Sequence, residues 1–169
     1  MPTQKIFLVG LPGSGKSTFG RQLASKTGLE FIDLDEEIEK REKSNIANVF
    51  ASKGEAYFRE VENKVLQELV KQPIRMMVAT GGGTPCYFDA MSLMNAHGTT
   101  LYLNFEIDEL VERLGATPLG TRPLFKDLTK KQLHDKLRAM LVERGVFYNQ
   151  AKFQITEKMG MDEVLMLLK

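Results

Sequence analysis

Gly10-Leu11-Pro12-Gly13-Ser14-Gly15-Lys16-Ser17-Thr18 fits the spacing G-x-x-x-x-G-K-[ST], a set of residue types suited to cradling a chain of phosphates. Such a chain carries dense negative charge and needs many donors at short range. Glycines admit positive φ and let backbone N–H groups turn inward, while a helix N-terminus behind them adds unpaired donors and a partial positive charge. Gly13, Ser14, Gly15, Lys16, Ser17 and Thr18 are therefore candidate nucleotide-binding residues. Lys16, expected as an exposed loop lysine, can reach the β- and γ-phosphates, and the Ser17 hydroxyl can ligate Mg²⁺. The expected ligand is a nucleoside triphosphate. A glycine-rich turn that binds nothing is the bland alternative.

Further along, Phe31-Ile32-Asp33-Leu34-Asp35 carries two carboxylates two residues apart. In an extended chain both would project to one side. One could hold the water shell of a metal while the other accepts a substrate hydroxyl. Alternatively Asp35, followed by Glu36 and Glu37, merely caps a helix. Arg59 has Glu55 four residues before it and Glu62 three after, which by itself reads as a surface helix with charge pairs. Gly81-Gly82-Gly83 follows an apolar run, where close approach of backbone to a ligand is one reading and a flexible turn the other. Arg113 to Leu124, with two glycines and two prolines, has the composition of a mobile loop that holds Arg122 beside a proline. Arg144, taken alone, reads as a solvated helix charge.

The elements needed to position these residues alternate short apolar runs with amphipathic segments, the pattern of βα units and a mainly parallel sheet. Strands are expected at about 4–9, 30–33, 75–80, 99–104 and 152–156. The first runs straight into the glycine loop, and a helix from Phe19 to Thr27 follows, so the motif has the strand–loop–helix context it requires. Ser44 to Val70 reads as helical with a break near Gly54, and Thr129-Lys130-Lys131-Gln132 matches a capping box. A last helix is expected from near Asp162 to Leu168. In a doubly wound sheet ligands collect beyond the carboxyl ends of the strands, where the glycine loop and the Asp33–Asp35 pair both fall.

The 169 residues make one domain by the usual size prior, and 43% hydrophobic with 27% charged residues is an ordinary globular balance. Lys and Arg number 23 against 22 Asp and Glu, so no global basic field draws nucleic acid or a membrane, and an anion must be held by local arginines. The single cysteine, Cys86, rules out an internal disulfide framework and suits a reducing cytoplasm. No basic-then-apolar leader opens the chain and no apolar run approaches a membrane span, so a cytoplasmic protein is expected. His97 and His134 lack ligand-like neighbours, which argues against structural zinc.

Taken together and in order, the loop Gly10 to Ser17, Asp33-x-Asp35, Gly54-Glu-x-x-Phe58-Arg59, Gly81 to Gly83, Arg122-Pro-Leu and Arg144-x-x-x-Tyr148 resemble the shikimate kinase family over nearly the whole chain. The resemblance implies a three-layer α/β/α fold with a five-stranded parallel sheet, of the phosphate-loop, nucleoside monophosphate kinase type. Within one domain spanning 1–169 it implies a substrate-binding helical region at about 34–62 and a lid at about 113–126. The implied activity is transfer of the γ-phosphoryl group of ATP to the 3-hydroxyl of shikimate, with Mg²⁺. By the same resemblance Lys16 and Arg122 stabilise transferring charge, Ser17 and Asp33 serve the metal, and Asp35 holds the reacting hydroxyl as candidate base. Arg59 and Arg144 would bind the shikimate carboxylate, Gly81 and Gly82 line the ring, and Arg113 stacks on adenine. A monomer with no nucleic-acid or membrane partner is expected.

A gluconate kinase would share the loop and lid but not the Arg59 and Arg144 pair. A GTPase would need an Asn-Lys-x-Asp element, and Asn63-Lys64-Val65-Leu66 lacks its aspartate. A silent homologue would be expected to have lost Lys16, Asp35 or Arg122, and all are present.

Overall fold

The structure, a computed structural model, describes residues 4–116 and 123–169. Its central strand, β1 (Lys5–Val9), is buried along its whole length, as a strand covered on both faces must be. β3 (Met76–Ala79) and β4 (Thr99–Leu103) flank it, with Phe7 paired to Val78 on one side and Leu8 to Leu101 on the other. β2 (Glu30–Asp33) and β5 (Phe153–Ile155) form the edges of a five-stranded sheet in the order β2-β3-β1-β4-β5, every pairing parallel. All five expected strands are present, and the three-layer α/β/α reading holds.

Alternation along β1 sends Phe7 and Val9 to one face of the sheet and Ile6 and Leu8 to the other. Leu23 and Ala24 of α1 (Lys16–Thr27) and Val164 of α7 (Met161–Leu167) cover the second face. The first face takes apolar residues from α2 (Leu34–Glu42), α3 (Ile46–Lys71), α4 (Ala90–His97), α5 (Ile107–Gly115) and α6 (Lys130–Tyr148). The expected capping box starts α6, with Thr129 accepting from the Gln132 N–H and the Gln132 side chain reaching back. Gly54 does interrupt α3, at φ 81° and ψ 171°. Among the described residues, no helix is long and apolar enough to cross a membrane.

One expectation fails at the end of β2. Asp33 and Asp35 do not lie on one side of an extended chain, because the strand stops at Asp33 and α2 begins at Leu34. Asp33, at φ −96° and ψ 121°, is the N-cap, and its carboxylate accepts from the N–H groups of Asp35 and Glu36. The cap is thus Asp33, not Asp35, and a short carboxylate satisfying the first-turn donors is the reason the strand ends there.

Of the expected lid, Arg113 lies in the last turn of α5 and Pro123–Phe125 forms a short 3-10 turn whose Phe125 is buried in the core. Residues 117–122, Arg122 among them, lie outside the described residues.

Candidate active site

The site forms where β1, β2 and β3 end. Beyond β1 the loop glycines Gly10, Gly13 and Gly15 take φ of 146°, 84° and 79°, which a residue with a β-carbon adopts only under strain. α1 opens at Lys16 with Gly15 as N-cap, so its first-turn N–H groups have no acceptor within the helix. Lys16 is not the exposed lysine expected from sequence, being only 8% exposed. Its ammonium donates to the carbonyls of Gly10 at 2.8 Å and Leu11 at 3.0 Å, so the loop itself solvates the charge. Ser14 is buried and its hydroxyl donates to the Leu11 carbonyl, while Thr18 is exposed on the helix.

Beyond β2, Asp33 joins two parts of the site. Its Oδ2 accepts from Ser17 Oγ at 2.6 Å and its Oδ1 accepts from the Asp35 N–H at 3.0 Å. One carboxylate therefore ties the phosphate loop to the helical turn that presents Asp35. Burial, helped by the nearby charges of Asp33 and Glu62 and partly offset by Lys16, pushes the Asp35 carboxyl up to about 6. A carboxyl so placed exchanges a proton near neutrality, which suits an acceptor of a hydroxyl proton.

Beyond β3, Thr80 spends its hydroxyl on the Leu8 carbonyl at 2.8 Å and so braces β3 against β1. The three glycines after it are the seat around which the other groups gather. A β-carbon on Gly81 would lie 3.2 Å from Glu62 Oε1 and 3.5 Å from Asp35 Oδ1. One on Gly82 would lie 3.1 Å from Arg144 Nη1 and 3.0 Å from Pro12 of the phosphate loop. At Gly83 it would clash with Arg59 Nη2, so only glycine lets that guanidinium pack against the backbone.

Arg59 has the ion pairs its spacing predicts, but not on a surface. Nη1 donates to Glu62 Oε2 at 2.8 Å, and Glu62 is 2% exposed. Glu62 Oε1 in turn accepts from the Thr84 hydroxyl at 2.5 Å. Burial works against the Arg59 charge, and Glu62 reverses this so that the guanidinium titrates above its ordinary value. Arg144 is half-buried rather than solvated. It stands beside Tyr148, a fully buried side chain whose hydroxyl donates to the Gly82 carbonyl. Burial raises the Tyr148 phenol well above its usual range despite the pull of Arg144. Arg113 reaches back over the phosphate loop, donating to Ser14 O at 3.4 Å and to Glu109 at 2.9 Å, with its guanidinium 4.5 Å from the Phe105 ring centroid.

Sequence reasoning passed over Glu62 and Thr84 as parts of the site, and it named Tyr148 only within the pattern Arg144-x-x-x-Tyr148 without giving it a role. For Glu62 a signal existed: it falls on the helical stripe Phe58, Val61, Val65, Leu66, Leu69, all buried. A carboxylate on an apolar stripe needs a buried partner.

The donors at the loop edge fit magnesium. Ser17 Oγ and Asp33 Oδ2 are hard oxygens already in contact, and among the described residues no cluster of three or more His, Cys, Asp or Glu competes for a metal. Mg²⁺ keeps several waters and takes few protein ligands beside substrate phosphates, as this set provides.

A parallel sheet with a phosphate loop at its central strand and a titratable carboxylate beside it defines a phosphate-loop kinase. The family model for shikimate kinase matches residues 12–166. A curated shikimate kinase from Azobacteroides pseudotrichonymphae is 44% identical over 163 residues, 96% of this chain and 95% of that relative. The crystal structure of shikimate kinase from Bacteroides thetaiotaomicron superposes with a TM-score of 0.88 at 35% identity, covering 98% and 94% of the two chains. That of the Acinetobacter baumannii shikimate kinase in complex with shikimate gives 0.83 at 32% identity, covering 96% and 88%. The chain belongs to the shikimate kinase family.

Proposed function

We infer that this chain transfers the γ-phosphoryl group of ATP to the 3-hydroxyl of shikimate, giving shikimate 3-phosphate and ADP. The observation that carries the assignment is the convergence of one titratable carboxylate, Asp35, and two arginines, Arg59 and Arg144, on Gly81 to Gly83 next to the phosphate loop. A hydroxylated carboxylic acid needs that set: an acceptor for the hydroxyl and guanidinium forks for the carboxylate.

In this reading the loop N–H groups, from Gly13 to Thr18, and Lys16 hold the phosphates. Lys16 exchanges its loop carbonyls for phosphate oxygens as charge moves. Ser17 and Asp33 would hold the magnesium ion, which would supply charge neutralisation to the phosphates. Asp35 accepts the proton of the attacking hydroxyl, Gly81 and Gly82 line the ring, and Arg59 and Arg144 orient the acid. Arg113 forms the base-stacking side of the nucleotide pocket, and Arg122 is assigned to transition-state charge. Phosphoryl transfer asks mainly for alignment and charge stabilisation, which these groups provide. Residues 34–62 form the substrate-binding region and 113–126 the lid of the single domain.

We assign a monomer, because one chain brings together Asp35, Arg59, Arg144 and the loop. A lack of nucleic-acid and membrane partners is supported by the near-neutral balance of 23 basic against 22 acidic residues, and a cytoplasmic setting by the single cysteine, Cys86. The test is a coupled ADP-release assay with MgATP over a panel of polyol acids. Shikimate-dependent turnover well above the other acids is expected; turnover indifferent to shikimate would overturn the assignment.

A further inference from the structure

Arg59 carries two carboxylates of unlike standing. Glu62 is buried, contacts Nη1 at 2.8 Å and is itself held by Thr84. Glu55 takes the opposite edge, where one oxygen accepts from Nε at 3.4 Å and Nη2 at 3.3 Å, and its side chain is 56% exposed. The long, shared contact is a weak one, and an exposed carboxylate loses little by turning into water. Glu62 has no such exit.

Tyr87 stands over the same guanidinium with its ring centroid 4.4 Å from Cζ, and its hydroxyl donates to the same Glu55 oxygen at 3.2 Å. The turn that presents this ring runs through Phe88 and Asp89 at φ 51° and 54°, two consecutive left-handed residues with side chains. Conformations of that kind persist only where the surroundings hold them, and they gather at ligand sites. Tyr87 therefore does two separable things: its face supports the guanidinium and its hydroxyl holds the resident anion.

We propose that Glu55 is a displaceable counterion for Arg59, occupying the guanidinium edge that a substrate carboxylate takes, with Tyr87 as the latch that keeps it there. Binding then exchanges one carboxylate for another on the same fork, and the acid's affinity is set by the difference between the two. This rests on the reading of Arg59 as the carboxylate-binding arginine. The exchange is complete in the bound ground state, so it acts on KM for the acid more than on kcat.

The experiment measures KM for shikimate, KM for ATP and kcat in the wild-type chain and in Glu55→Gln, Tyr87→Phe and Tyr87→Ala. Glu55→Gln keeps the shape and removes the charge; KM for shikimate is expected to fall about two- to fivefold, the range an exposed ion pair allows. KM for ATP and kcat should move less. Tyr87→Phe keeps the ring but frees Glu55, and should lower KM by a smaller factor. Tyr87→Ala also removes the support of the guanidinium and should raise KM about two- to fivefold. A purely structural role would move all three variants in one direction. Unchanged or raised KM for shikimate in Glu55→Gln, with the wild type active, overturns the proposal and leaves the assigned function standing. A wild-type chain inactive on shikimate overturns both.

Discussion

The proposed nucleotide end and the proposed substrate end of this site are built by opposite means. At the nucleotide end, contiguous residues 10–18 supply backbone N–H and carbonyl groups, and even the Lys16 ammonium rests on the carbonyls of Gly10 and Leu11. At the substrate end, side-chain charges arrive from α2, α3 and α6. Glu62 holds Arg59 and Thr84, Arg144 stands against Tyr148, and Asp35 is crowded by the like charges of Asp33 and Glu62. Backbone dipoles come fixed with the chain trace. Buried charges must have their lost hydration offset by a partner, so the substrate end stores stability in its pairs and should lose it when a pair is broken.

The largest effect should come where activity and stability separate most cleanly. Lys16→Met keeps the aliphatic bulk while removing the charge. Turnover is expected to fall by about a hundredfold or more, the scale for losing one preorganised charge-stabilising group. The melting temperature should move little, because the loop conformation is set by its glycines. A cooperative loss of fold in this variant would break the contrast, showing that the loop too depends on a side-chain charge.

Asp35→Asn should also abolish most turnover, by about 10²–10⁴ as for other lost general bases, yet it should stabilise the protein at alkaline pH. The folded-state carboxyl sits near 6 against an ordinary 3.8. Its stabilising contribution is whole below the lower value and lost as pH rises through the higher one. Ionised Asp35 thus costs the native state on the order of 1–3 kcal/mol above about pH 6. The variant should melt higher than wild type at pH 8, with the gap closing as pH falls towards 4. A gap that is constant with pH would mean the carboxyl is not raised. In wild type without nucleotide, the Asp35 carboxyl carbon followed by NMR should titrate near 6.

The two arginines sharpen the comparison within the substrate end. Both Arg59→Ala and Arg144→Ala should weaken shikimate binding by about 1.5–3 kcal/mol, as for a charge-assisted bond, with ATP binding little changed. Only Arg59→Ala leaves a carboxylate, Glu62, buried without its cation, which should cost about 3–5 kcal/mol of stability. Adding Glu62→Gln to Arg59→Ala should restore much of that stability in denaturant titrations but none of the binding. Equal stability of the two single variants would mean that the buried pair is not what holds this end together.

The same division decides what could be read from the sequence. The strands, the loop and the capping box at Thr129 were legible because each is a local pattern whose physics lies within a few residues. The roles proposed for Arg59 and Arg144 were not legible from their neighbours, which describe ordinary helix charges; a family resemblance was needed to raise them. Their burial comes from contacts across the fold, with Gly83 against Arg59 and Gly82 against Arg144. The geometric argument that singled out Asp35 fails: strand alternation suggested its direction, but a cap at Asp33 turned the chain into a helix first. Glu62 could have been found, since it interrupts an apolar stripe. Tyr87 could not, because nothing around it announces a left-handed turn at Phe88 and Asp89.

A smaller effect than the loss of a site charge is expected at Gly54. A β-carbon there would meet no atom within 4 Å, so a substitution introduces no clash. Its φ of 81° with ψ 171° is nevertheless a region that only glycine occupies readily. The kink is held from both sides, since Glu42 Oε2 accepts from Lys53 Nζ at 2.8 Å and from Tyr57 Oη at 3.0 Å across it. Gly54→Ala therefore sets a conformational preference alone against that strap, at a cost of about 1–3 kcal/mol. Relaxing the kink would carry Arg59 out of place against Gly83, so the strain should appear as a raised KM for shikimate with KM for ATP unchanged. Adding Glu42→Gln, which weakens the strap, should enlarge the KM effect rather than add an independent one. Equal changes in both KM values would instead mean that the kink braces the whole sheet, and that the two ends are not mechanically separate.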